Sequence, residues 1–238
     1  MQQLGSEIRA VADPGSAAVL TRFFQVRPGG YGEGDVFVGV QLSRLRLLTK
    51  PYLRTPFVAA DWLPLLRSPV HEDRLAALVV MSERATRAAR AGDDAEHEHL
   101  YRTYLDNTAS VNNWDLVDVS AAPVVGGFLA HRDRTPLDGL AQSSVLWERR
   151  IAMVATHHFL RRGETADAYR IAELLLDDRE DLIHKAVGWS LREAGKRVDR
   201  DELRRFLDQH ATAMPRTCLR YAIEHFPPAE RQHYLRLR

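Results

Sequence analysis

Asp181-Leu182-Ile183-His184-Lys185-Ala186-Val187-Gly188-Trp189-Ser190-Leu191-Arg192-Glu193-Ala194-Gly195-Lys196-Arg197 is the clearest helix in the sequence. Leu182, Ile183, Ala186, Val187, Ser190, Leu191 and Ala194 form one stripe of apolar and small residues at helical spacing. At about 100° per residue, Lys185, Trp189, Arg192 and Lys196 fall together on the flank of that stripe. A core helix has no need of a tryptophan enclosed by cations. A surface meeting nucleic acid does, because cations neutralise phosphate and a ring packs on the sugar–base edge. The alternative is long cationic side chains snorkelling around a partly buried Trp.

The same alternation of helix and break runs outward in both directions. Helical spacing predicts helices over 17–26, 37–52, 58–66, His71–Ala91 and 93–108. Beyond these it predicts helices over 113–131, 146–162, 165–176, 180–195, 200–210, 215–226 and 228–237. Pro123 predicts a kink or break inside 113–131. The stretch Pro28-Gly29-Gly30-Tyr31-Gly32-Glu33-Gly34-Asp35 reads as a loop. Its glycines do not make a phosphate loop, since no Gly-Lys-Ser/Thr follows. Only residues 35–40 tempt a strand assignment, and residues 1–15 read as a loose N-terminal tail. The expected fold is therefore all-α, over one domain spanning 1–238. Helix pairs of roughly 35 to 45 residues match the dimensions of HEAT-type stacking. That pattern predicts a curved α-solenoid of antiparallel helix pairs, with the concave face as the binding surface.

Composition narrows the function classes. A chain of 238 residues, 45% hydrophobic and 27% charged, has the profile of an ordinary soluble domain. No run approaches the roughly eighteen apolar residues of a membrane span, and the start lacks a signal-peptide core. The single cysteine, Cys218, makes no internal disulfide and supports no thiolate zinc site, which fits a reducing cytoplasm. With net charge +1, any nucleic-acid binding must come from basic residues gathered on one face.

Two further helices carry chemistry on the flank of their core stripe. In 146–161, Trp147, Ile151, Val154, Ala155 and Phe159 face inward, while Arg150, His157 and Arg161 share an edge. The adjacent Arg149 points elsewhere, so Arg150 is favoured of the pair. His157-His158 has no metal spacing, and Glu96-His97-Glu98-His99 lacks His-Glu-x-x-His and reads as a solvated face. In the helix opening at Asn112-Asn113-Trp114-Asp115-Leu116-Val117-Asp118, the ring of Trp114 and the carboxylate of Asp118 lie one turn apart on one face. By periodicity alone the ordinary reading of that pair is an interface Trp beside a solvated Asp. Stacked helices can bring such edges onto one surface, and three of them together suggest nucleic acid.

These motifs carry a resemblance. Asn112–Asp118, Trp147-Glu148-Arg149-Arg150-Ile151-Ala152 and Lys185–Glu193, in that order, resemble the AlkD-like DNA alkylation repair family, a family of HEAT-like-repeat DNA glycosylases. Gly30–Asp35, His71-Glu72-Asp73-Arg74-Leu75 and Met214–Tyr221 add to the likeness, which covers nearly the whole chain after the tail. The resemblance implies excision of positively charged N3- and N7-alkylated purines, such as 3-methyladenine and 7-methylguanine, from double-stranded DNA without base flipping. It implies a Trp–Asp–Arg–Trp set on Trp114, Asp118, Arg150 and Trp189. Asn113 departs from members that carry a second Trp there. A carboxylate suits this chemistry, because it can stabilise the sugar cation and position water. Lys185, Arg192, Lys196, Arg161 and His157 are the expected DNA contacts. No metal, cofactor or membrane is expected, and the expected state is a monomer in the cytoplasm, on the nucleoid when bound to DNA. The rival class is a non-catalytic helical-repeat DNA-binding or scaffold protein.

Overall fold

The computed structural model of the chain describes residues 2–55 and 57–237. The described residues are helical apart from turns, short extended stretches and one isolated bridge, and divide into two compact units, Met1–Ser120 and Ala121–Arg238. No composition change marks that boundary, which falls inside the helix carrying Trp114. Among the described residues, no helix is long and apolar enough to cross a membrane.

The first unit contains α1 (Gln2–Ala10), α2 (Pro14–Phe23), α3 (Leu42–Thr49), α4 (Ala59–Leu66), α5 (His71–Ala91) and α6 (Asp94–Leu105). The next helix, α7 (Trp114–Ala121), runs up to the boundary. At the centre is α5, against which α1, α3, α4 and α6 pack. From His71 through Ser82 every residue is buried, so this part of the helix is enclosed on all sides, while its last turns bury one stripe. It ends at Gly92, whose φ of +68° is the left-handed C-cap that glycine adopts without strain.

Two expectations need correction here. Residues 2–10 are not a loose tail: α1 forms there, with Leu4 and Ile8 fully buried. Neither a cap nor a long stripe announces this helix. Tertiary burial and the Arg9 guanidinium, 2.6 Å from Asp73, fix it. The helix expected over 37–52 starts only at Leu42 and continues as a 3-10 turn, Lys50–Arg54. Residues 38–40 are diverted because their backbone N–H groups donate to the buried Glu72 carboxylate, at 2.8 Å from Gly39 N. A Cβ on Gly39 would lie 2.1 Å from the Asp13 carbonyl oxygen, so glycine is required there. The tempting strand reduces to one parallel bridge, Val36 to Val70.

The second unit contains α8 (Gly127–Leu129), α9 (Pro136–Ala141), α10 (Leu146–Ala155), α11 (His157–Leu160) and α12 (Ala166–Leu174). It continues with α13 (Asp181–Arg197), α14 (Arg200–His210), α15 (Arg216–Ala222) and α16 (Pro228–Arg236). Pro123 produces a π turn over Ala122–Gly126, the local break its missing N–H predicts. The short α9 escapes a periodicity reading because it buries only Leu137 and Ala141. Helix α13 packs on α10, α12, α14 and α15. Its approach to α15 is close: a Cβ on Gly188 would stand 2.4 Å from the Cys218 carbonyl oxygen.

The Glu72 carboxylate is expected to anchor the 38–40 segment in the first unit. Glu72→Gln keeps the shape but turns an amide N–H₂ toward backbone donors, and should cost about 1.5–3 kcal/mol. A lower urea midpoint at unchanged slope checks this, and an unchanged midpoint would contradict it.

Candidate functional site

In the first unit, Trp114 opens α7 and is half-buried, with Asp118 half-buried one turn on. A stack of rings backs the indole. Phe24 lies parallel to it at 5.1 Å, Phe37 lies on Phe24 at 5.0 Å, and His71 lies on Phe37 at 4.4 Å. The exposed Phe23 ring meets the Trp114 edge at 6.0 Å. The indole Nε1–H donates to the Tyr31 hydroxyl at 3.4 Å, which in turn donates to the Phe23 carbonyl at 3.1 Å.

Beneath this stack lies a buried ionic cluster that the sequence reading passed over. Asp35, from the glycine-rich loop, accepts from His71 Nδ1 at 2.8 Å and from Arg74 Nη2 at 2.5 Å. Asn113 Nδ2 also donates to it, at 3.3 Å. The other ring nitrogen of His71 stands 2.8 Å from Asp115. Burial pushes the Asp35 carboxyl up, but the His71 hydrogen bond and the Arg74 charge outweigh it and hold it below the usual carboxylate range. Burial pulls the His71 imidazolium down, and its bonds to Asp115 and Asp35 more than reverse that. Asn113 is itself fully buried, and its side-chain oxygen accepts from the Trp114 N–H at 2.8 Å. Where the sequence departs from the Trp of some family members, the side chain serves the ionic cluster. The one available signal was the pairing of Gly-Asp in the loop with the run His71-Glu72-Asp73-Arg74.

Near Asp118, the Tyr104 hydroxyl donates to Ser120 Oγ at 3.0 Å, and Ser120 donates onward to the Leu116 carbonyl at 2.5 Å. Burial, and secondarily the Asp118 charge, push the Tyr104 hydroxyl up, so it stays neutral.

In the second unit, Arg150 on α10 is buried, and its Nη1 donates to the Leu182 carbonyl on α13 at 2.7 Å. Arg149 turns away and pairs with Asp178 at 2.6 Å. Trp189 is half-buried on α13, with the His157 ring 4.2 Å from its centroid. His157 is buried, and its Nε2 lies 2.9 Å from Ser190 Oγ. Ser190 already donates to the Ala186 carbonyl at 2.9 Å, so the imidazole must be the donor and carries its proton on Nε2. Burial, then the Arg161 charge, push this histidine down to about 4. The Glu193 charge opposes this, and the Arg197 and Arg150 charges add to it.

The flank cations of α13 behave less uniformly than their spacing suggests. Lys185 pairs with Asp181 at 2.7 Å, Arg192 pairs with Glu224, and Lys196 is exposed. Arg161 is exposed, with burial of its inner part and the Arg197 charge lowering its proton affinity. The Glu96–His99 stretch is structural: Glu96 pairs with Arg84, Glu98 with Arg102, His97 is buried, and His99 lies against Phe57.

A family model described as DNA alkylation repair enzyme matches residues 4–226. No curated protein matches the sequence. Among solved structures, the chain is similar to a predicted DNA alkylation repair enzyme from Enterococcus faecalis, with TM-score 0.65 and 16% identity. That alignment covers 91% of this chain and 97% of the other, and supports the fold alone.

The neutral His157 has a measurable consequence. Below about pH 6.5 the unfolded chain takes up a proton at this residue that the folded chain refuses. Stability should therefore fall as pH drops toward 4, with up to about 3 kcal/mol from this residue. His157→Gln should flatten that part of a urea-denaturation pH series, and an equally steep series would remove His157 as the cause.

Proposed function

Because the chain belongs to the DNA alkylation repair enzyme family, we propose that it is a DNA glycosylase. In this reading it hydrolyses the N-glycosidic bond of positively charged N3- and N7-alkylated purines in double-stranded DNA. The observation that carries the reading is the Trp114–Asp118 pair. A ring backed by a stack of aromatics and a carboxylate one helical turn away are both half-exposed at the surface of the first unit.

A cationic alkylpurine leaves with the electron pair of the bond between sugar C1′ and the purine, so no acid is needed to protonate it. The sugar is left electron-poor. Asp118, as a carboxylate, stabilises that charge and orients a water toward C1′. The water oxygen bonds to C1′ and its proton passes to the carboxylate or to solvent, giving an abasic site and the free base. Trp114 and Trp189 pack on deoxyribose, where the negative faces of their rings favour the developing cation. Arg150 holds a phosphate. Tolerance of a stacked, unflipped base follows from work done on the sugar side, as the family resemblance implies. Arg161, Lys196, Lys185 and Arg192 supply further phosphate contacts, the last two by exchanging carboxylate partners for phosphate. His157 leaves that set, since a neutral imidazole already donating to Ser190 has no charge to offer a phosphate and instead supports Trp189.

The full chain incubated with methylated duplex DNA should release 7-methylguanine. Duplex binding without release would favour a DNA-binding module instead. Asp118→Asn should slow single-turnover excision on the order of 100-fold while duplex affinity stays within about threefold. An equal collapse of affinity would make Asp118 structural. Arg150→Ala should weaken duplex binding and reduce the slope of log affinity against log salt by about one.

A further inference from the structure

We propose that His71, clasped as an imidazolium between Asp35 and Asp115, is the positioning residue that sets Trp114 in its working orientation. The inference rests on the glycosylase reading for its rate arm only, because the clasp itself is a matter of geometry.

The protonation state follows from the acceptors. Asp35 and Asp115 each place a carboxylate oxygen 2.8 Å from a different ring nitrogen of His71. Ionised carboxylates only accept, so both nitrogens must carry protons. The cluster then holds Asp35 and Asp115 against His71 and Arg74, two negative charges against two positive ones. These are the charged groups facing the ring: Asp35 from the loop, Asp115 from α7 and Arg74 from the same first turn of α5. Helix α2 and the extended segment after the loop present rings to it, Phe24 and Phe37. The neighbouring Glu72 and Asp73 are turned to the backbone of 38–40 and to Arg9.

The link to Trp114 is direct on both sides. Its preceding residue, Asn113, donates to Asp35, and its following residue, Asp115, accepts from His71. The first turn of α7 is therefore tied at both flanks to one buried cluster, through Asp35 on one side and His71 on the other, while the indole leans on a stack that ends on the His71 ring. If His71 loses a proton, one of its two nitrogens faces a carboxylate with no hydrogen between them. One clasp opens, and Asp115 is the freer arm because its side chain is partly exposed whereas Asp35 is buried. Deprotonation should thus release the flank of Trp114 and misplace the ring on the sugar. Because the folded state holds this proton more tightly than the unfolded chain, the contribution is present below the ordinary histidine range and is lost as pH rises through the folded value. Asp118, one turn along the same helix, would feel the same slackening.

The test uses the full chain with a duplex carrying 7-methylguanine, followed from about pH 6 to about pH 10, a range spanning a raised histidine. His71 protonation is read from its ring carbon and nitrogen resonances, and Trp114 from its indole N–H resonance, assigned with Trp114→Phe. The single-turnover excision rate should fall through one ionisation on the alkaline side, with the Trp114 resonance moving at the same midpoint as His71. Asp115→Asn, which retains the loop anchor and removes one anion, should move all three midpoints down together by about one pH unit, and lower the rate several-fold at neutral pH. His71→Gln, if folded, should abolish the alkaline limb. A His71 ionisation that leaves Trp114 unmoved would overturn the proposal, as would an alkaline limb that stays in place in Asp115→Asn. A protein that releases no base at any pH, yet whose Trp114 resonance tracks His71, would overturn the glycosylase reading and leave the clasp standing.

Discussion

Four consecutive ionisable side chains, His71, Glu72, Asp73 and Arg74, are buried in the first turn of α5, and the first unit is arranged to satisfy them. An unpaired buried charge costs several kcal/mol, so each must have a partner in place whenever the unit is folded. Each is partnered, with His71 and Arg74 sharing Asp35. His71 reaches Asp35 and Asp115, Glu72 takes the backbone of 38–40, Asp73 takes Arg9 and Ser68, and Arg74 takes Asp35 and the Ser68 carbonyl. The negative pair in this turn also suits the positive end of the helix dipole. One helical turn therefore dictates the seat of α1, the path of the glycine-rich loop and the entry angle of α7.

The same constraint separates what was legible in the sequence from what was not. Helix α5 was readable to its ends because its apolar period and its Gly92 cap are local properties. The helices from α10 to α16 followed for the same reason, within a few residues at their ends, except that the one helix expected over 146–162 is broken at Thr156 into α10 and α11. Spacing along one helix put Arg150, His157 and Arg161 on a shared edge, but it could not show that the first two are buried and only Arg161 is exposed, since that depends on the packing of α13. The segment 37–41 was not legible, because what pulls it out of helix is the Glu72 carboxylate more than thirty positions along the chain. Asp35 was invisible as a site residue for the same reason: a loop aspartate acquires meaning only from His71, Arg74 and Asn113. Helix α1 was missed because two buried leucine-like side chains in nine residues make no pattern without the ion pair that completes it.

The two tryptophans of the proposed site are supported by histidines in opposite charge states. His71 lies between two carboxylates and keeps both protons, whereas His157 is buried where Arg161, Arg197 and Arg150 outweigh Glu193 and keeps one. The side chains are identical, and the difference lies in the charges facing them: anions favour the imidazolium, while desolvation among cations disfavours it. Each solution suits its site. Beneath Trp114 a doubly donating ring can tie two carboxylates into the base of the first unit. Beneath Trp189 a neutral ring adds no further positive charge to a surface already rich in arginine.

This division of labour fits the chemistry proposed for the protein. Cleavage of an already cationic base calls for no proton donor, so no side chain has to be held at a pKa matched to acid catalysis. What it does call for is a carboxylate and two ring faces fixed against a sugar, where small displacements weaken the electrostatic stabilisation sharply. The buried polar groups are spent accordingly. Asp35, His71, Asn113 and Asp115 surround Trp114, while Ser190, His157 and the close α13–α15 contact at Gly188 surround Trp189. The shifted ionisations of His71 and His157 thus belong to residues that support the two indoles, in keeping with a site whose contribution is position rather than proton transfer.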